Sequence, residues 1–140
     1  MIAFITQPQY GRGTTRFILC RLEKSFNHKE IVDLSKITIE HFLPQTLNQE
    51  WKDELGSEPE EVHAAWVNTF GNLTLTGYNS ELGNLPFLEK KAKLENTHIE
   101  LNRWILQQTN WRATEIEERA KNLLLIANKI WIAPSDMNAD

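Results

Sequence analysis

Lys36-Ile37-Thr38-Ile39-Glu40-His41-Phe42-Leu43-Pro44-Gln45 decides how this chain folds. Polar and apolar residues alternate from Lys36 to Glu40, and the apolar ones are β-branched, which predicts a strand. Pro44 stops it, because proline has no N–H to give to a ladder. Successive side chains of a strand point to opposite faces. Ile37 and Ile39 are therefore expected to face a core, with Thr38 and Glu40 facing away. His41 falls on the Ile39 side unless the chain twists before Pro44. A second stretch, Gly71-Asn72-Leu73-Thr74-Leu75-Thr76-Gly77-Tyr78-Asn79, alternates in the same way and predicts a strand over 72–77. If it returns beside the first strand, Glu40 and His41 converge on one pocket.

Outward from these strands the periodicity turns helical. Asn48 to Leu55 reads as a short helix closed by Gly56. Ser57, then Glu58-Pro59-Glu60-Glu61, starts a second helix with acids in its first turn; it carries Val62, Ala65, Trp66 and Phe70 and stops at Gly71. Tyr78 to Gly83 predicts a turn or one helical turn. Asn84 and Pro86 open a basic helix to about Asn96. Upstream, residues 1–13 include Pro8, Gly11 and Gly13 and read as a flexible lead-in. Thr14 or Thr15 caps a helix to about Phe26, with a stripe of Ile18, Leu22 and Phe26 widened by Phe17 and Cys20. Thr97 to Gln108 fits neither period. Thr114 caps a last helix over about 114–131, whose seam is Ile116, Ala120, Leu123, Ala127 and Ile130, with Pro134 marking its end. The fold class predicted is α+β, mainly helical, with residues 14–140 forming one domain.

Composition agrees. The 140 residues are 41% hydrophobic and 24% charged, enough for one core and too few for two. No apolar run reaches the ~20 residues of a membrane span. The N-terminus lacks the basic region of a signal peptide. The lone Cys20 excludes an intramolecular disulfide and a Cys-rich zinc knuckle, and fits a reducing cytoplasm. The net charge of −4 comes from one place: residues 41–61 sum to −5, whereas 1–40 sum to +2 and 62–140 to −1. Net charge therefore does not decide the partner.

The residues at the strand ends have definite chemistry. Neutral imidazole, with a pKa of about 6.5, suits proton abstraction from water at physiological pH. A carboxylate and an amide oxygen are hard ligands suited to Mg²⁺ or Mn²⁺, and they leave positions for water and a phosphate.

EHFLPQ followed by GNLTL and a nearby Asn resembles the HNH, or His-Me finger, endonuclease motif. With NSELGNLPFLEKK after the second strand and the spacing of Trp111, Ile116 and Arg119, the chain is similar to the C-terminal nuclease module of GmrSD-type, modification-dependent restriction enzymes. The likeness runs from about Ile37 to Trp131, with RFILCRLE as its lead-in. It implies a ββα-metal core over about 37–95. His41 would be the general base and Glu40 a metal ligand, where many relatives carry Asp. Asn72 would brace the hairpin loop and orient the imidazole, and Asn79 would be the second ligand, where many relatives carry His. Asn84 is the rival for that place. Thirty-one positions separate His41 from Asn72, and they hold the acidic insert and room for two helices.

Lys90, Lys91 and Lys93 are candidates for phosphate contact, or else an ordinary solvated helix face. Arg119 is expected to make a structural ion pair. The five tryptophans are expected in the core, and His28, His63 and His98 at the surface or in packing. Cys20 is expected to be buried and inert. The resemblance implies an endonuclease using Mg²⁺ (Mn²⁺ or Ni²⁺ being possible) without structural zinc, acting on DNA that is modified or plain. Its setting would be phage-defence restriction in the cytoplasm, with no membrane. An N-terminal nucleotide-binding domain or separate subunit would lie outside this chain, which reads as an excised C-terminal domain or a small stand-alone relative. The alternative is a non-catalytic DNA- or protein-docking module that keeps the same scaffold.

Overall fold

Two hydrophobic clusters meet at a short pair of antiparallel strands. The computed structural model describes residues 2–26, 33–77 and 79–131. In chain order these form α1 (Ile2–Thr6), α2 (Thr15–Lys24), β1 (Thr38–His41), α3 (Gln49–Leu55), α4 (Pro59–Trp66), a 3₁₀ turn (Phe70–Asn72) and β2 (Leu73–Thr76). They continue with α5 (Asn79–Leu82), α6 (Phe87–Lys93), a second 3₁₀ turn (Glu100–Asn102), α7 (Arg103–Leu106) and α8 (Ala113–Ile130). The architecture is mixed, mostly helical, with β1 and β2 paired antiparallel. Thr38 faces Thr76, Ile39 faces Leu75, Glu40 faces Thr74 and His41 faces Leu73.

Local chemistry explains several element ends. The Asn48 carboxamide accepts the Trp51 amide at 2.9 Å and so caps α3, while Gly56, at φ +79°, ends it in a conformation that costs glycine little. Pro59 opens α4, where its missing N–H is no loss. The last helix starts at Ala113, one residue before the expected Thr114 cap region, because the Glu115 carboxylate reaches back to the Arg112 amide at 2.9 Å.

The first cluster joins Leu19 and Leu22 of α2 to Phe70, Leu73, Leu75 and Leu123. The second joins Phe42 and Leu43, just past β1, to Trp51, Phe87, Trp111 and Ile116. The expected stripe of α2 is met at Leu22, which is buried, and at Ile18 and Cys20, which pack half-buried against the core; Phe17 and Phe26 are exposed instead, and Leu19, buried, was not expected. The N-terminal lead-in is also more ordered than its glycines suggest. Its first residues form α1, where Phe4 stacks on Phe70 with ring centroids 4.6 Å apart. Five residues are too few for a helical period to show. The ambiguous stretch 97–108 resolves into a 3₁₀ turn running into a single α turn, each too short to reveal its period.

On α8 the expected seam is buried at Ile116, Ala120, Leu123 and Ala127, and Arg119 is buried beside it. Among the described residues Arg119 makes no carboxylate pair; its partners are main-chain carbonyls. Nη1 donates to Phe70, Gly71 and Leu73 at 3.2, 2.9 and 2.7 Å, and Nη2 to Leu101 at 3.3 Å. Burial pushes its guanidinium down to about 9, which still leaves it charged at neutral pH. Gly71 lets the helix come this close, since a Cβ there would lie 2.1 Å from the Ile116 carbonyl oxygen.

Candidate active site

His41 closes β1 and lines a polar cavity of about 230 Å³ with Tyr10, Glu40, Gln45, Thr46 and Asn84. Its ring is nearly enclosed, 6% exposed, and Nε2 lies 2.9 Å from the Asn68 Oδ1. The Tyr10 ring meets it edge-on, with centroids 4.3 Å apart. Burial is the main force holding His41 below the ordinary imidazole value; the Asn68 bond opposes it, and the charges of Lys90 and His63 reinforce it. The imidazole is thus kept neutral in the state that can accept a proton.

Glu40, the residue before it in the strand, is also buried, but not against apolar side chains alone. The Lys90 ammonium, fully buried on α6, stands 3.2 Å from Oε1 and donates to the main-chain carbonyls of His41 and Phe42 at 3.1 and 2.8 Å. It also lies over the Phe42 and Trp51 rings. Burial raises the Glu40 carboxyl, against the pull of Lys90, and lowers the Lys90 ammonium, against the pull of Glu40. Glu40 Oε2 is buried and has no hydrogen-bond partner among the described residues.

Asn72 is completely buried and has all its side-chain bonding capacity in use. Nδ2 donates to the carbonyls of Leu43 and Val67 at 2.8 and 2.9 Å. Oδ1 accepts from the Leu43 amide at 2.7 Å and from Trp111 Nε1 at 3.0 Å. These bonds clamp the chain leaving β1 to the chain entering β2. The contact to the imidazole comes from Asn68 instead.

The remaining candidates separate. Asn79 begins α5, but its side chain lies outside the described residues, as do Tyr78 and His28. Asn84 lines the cavity with Glu40 and His41. The three lysines of α6 do not share a surface. Lys90 is enclosed and has no face to offer a DNA phosphate, which corrects that expectation: it sits one helical turn from Phe87 and shares its buried side. Lys91 donates to the Gln108 carbonyl at 2.7 Å and covers the Phe87 ring, whereas Lys93 is exposed. His63, expected only in packing or at the surface, bonds the Pro44 carbonyl at 2.8 Å and so steadies the loop after His41. Trp51 and Trp111 are core residues, and Trp131 is exposed.

Sequence reasoning missed Asn68 and Tyr10. Asn68 lies in a stretch that reads as the end of a helix. Tyr10 lies in the supposed lead-in, where an aromatic residue among Pro8, Gln9 and Gly11 was the available signal.

Among the described residues no group of three or more His, Cys, Asp or Glu is placed to hold a metal. A divalent ion held chiefly by water and phosphate asks for one or two hard oxygens. Glu40 and Asn84, which both line the cavity, are the residues that could supply them, Glu40 Oε2 having no partner among the described residues.

The family described as GmrSD restriction endonucleases, C-terminal domain, matches residues 3–126. No curated protein matches the chain.

Proposed function

The chain belongs to the GmrSD restriction endonuclease C-terminal domain family, and from that premise we propose that it is an HNH-type nuclease that hydrolyses DNA phosphodiester bonds with a divalent metal. The observation that carries this reading is the pairing of His41 and Glu40 at the end of β1. One is an imidazole that burial favours in its neutral form, the other a carboxylate whose Oε2 has no partner among the described residues, and both border one polar cavity.

His41 takes a proton from water entering that cavity, and the hydroxide attacks phosphorus opposite the leaving 3′-oxygen. A positioned general base contributes about 10²–10⁴-fold. Glu40, with Asn79 or Asn84, would hold the ion; when bound, it supplies charge neutralisation on the phosphate and the departing oxygen. Asn72 keeps β1 and β2 in the register that sets Glu40 and His41 side by side, the part a ββα-metal hairpin would require. Lys91 and Lys93 are the α6 lysines left to approach the DNA backbone. Membership of a restriction-enzyme family supports a role in phage defence, on DNA that is modified or plain.

One observation favours the docking alternative: Lys90 already neutralises one oxygen of Glu40. Plasmid cleavage with Mg²⁺, Mn²⁺ or EDTA, run beside His41→Ala, separates the two. The nuclease gives metal-dependent nicking or linearisation that His41→Ala abolishes while its circular dichroism is unchanged. Cleavage that persists in His41→Ala, or none with either metal, refutes the assignment.

A further inference from the structure

Asn68 makes contacts in two directions. Its side-chain oxygen sits 2.9 Å from His41 Nε2. Its main-chain carbonyl accepts the amides of Gln9 and Tyr10 at 2.7 and 3.2 Å. Gln9 is secured from the other side as well, because the Thr15 hydroxyl and the Arg12 amide donate to its carbonyl. The Tyr10 ring is thereby set against the imidazole edge at 69° between planes. Tyr10 is 44% exposed, so burial of its own surface does not explain why the chain holds it there.

We propose that Asn68 and Tyr10 are positioning residues that fix the tautomer and the ring orientation of His41. The inference rests on the nuclease reading for its catalytic consequence, but not for its structural content. An amide oxygen can only accept, so the nitrogen facing Asn68 must carry the hydrogen. Nε2 is then the protonated nitrogen, and Nδ1 keeps the lone pair that takes the proton from water. Without Asn68 both tautomers and a flipped ring become available, and a flipped ring presents the wrong nitrogen. Tyr10, packed on the ring edge, restrains that flip. The N-terminal segment is on this account part of the site.

Two measurements test it on the full chain. Long-range ¹H–¹⁵N correlation spectra at a pH where His41 is neutral should show the Nε2–H tautomer in wild type and in Asn68→Asp, whose carboxylate still accepts. Asn68→Ala should show a mixture. Ring-current shifts on the His41 carbon-bound protons should survive in Tyr10→Phe and vanish in Tyr10→Ala. In the cleavage assay Asn68→Ala should lower kcat about tenfold or more, short of the loss in His41→Ala, with KM changed by less than about twofold. Asn68→Asp should recover most of that loss.

A wild-type Nδ1–H tautomer, or an Asn68→Ala spectrum identical to wild type, overturns the proposal even if His41→Ala is inactive. Conversely, the expected spectra in a protein that cuts no DNA uphold the bracket and sink the nuclease reading alone.

Discussion

Replacing Asn72 by Ala should unfold much of what the site depends on, and the structure sets the scale. The substitution strips partners from four groups at once: the Leu43 amide, the Leu43 and Val67 carbonyls, and the Trp111 indole N–H. Each buried polar group left unpaired costs about 1–3 kcal/mol. Water admitted to the vacated space offsets part of this, so the low end applies, at about 4 kcal/mol in total. A domain of this size has only about 5–15 kcal/mol to lose. The midpoint of thermal unfolding should fall by about 10–15 °C. Asn72→Asp should also destabilise, since its second oxygen would face two carbonyl oxygens instead of donating to them. Urea titrations followed by circular dichroism and tryptophan fluorescence measure both variants. A loss below about 1 kcal/mol in Asn72→Ala would refute the claim that this carboxamide clamps the two strands.

Three further outcomes are expected. Gly71→Ala, whose Cβ would press on the Ile116 carbonyl from 2.1 Å, should cost about 3 kcal/mol or more, because helix backbone must move; an unchanged melting temperature would contradict that contact. Lys90→Met leaves the Glu40 carboxylate buried and unpaired, at a cost of about 3–5 kcal/mol. The double variant Glu40→Gln with Lys90→Met should be more stable than Lys90→Met alone in the same urea assay, and equal stabilities would count against the pair. The third concerns pH. His41 is held below its ordinary value chiefly by burial, so the unfolded chain binds that proton more tightly. Stability should therefore fall as the pH drops through about 6.5 toward the folded value. In EDTA, His41→Gln should show a flatter fall than wild type between about pH 7 and 5, and parallel curves would rule out this source of acid sensitivity.

The two strands and the helices α3 and α4 between them were legible because each carries a local signal: alternation, a glycine at a helix end, a proline at a helix start. What escaped was set by tertiary contact. Lys90 looks like a surface lysine in a basic run, and only the approach of α6 to the end of β1 turns it into a buried counter-ion. Arg119 sits in a helical seam where a charge suggests an ion pair, yet the three carbonyls of the 3₁₀ turn and β2 that it serves are more than forty positions away. Tyr10 and Asn68 are fifty-eight positions apart, and no periodicity links them. Asn72 was the easier case, since a residue bracing a loop from within the strand boundary needs only the two strands to be found.

The grip of Trp111 on Asn72 and of Arg119 on the Leu73 carbonyl has a consequence for biosynthesis. Both residues belong to the last part of the domain to leave the ribosome, whereas His41 emerges early. A nascent chain that has exposed His41 and even β2 still lacks the groups that satisfy the turn between them. A chain that stops short of Trp111 carries Glu40 and His41 but lacks the indole N–H that donates to Asn72 and the guanidinium that holds the Leu73 carbonyl.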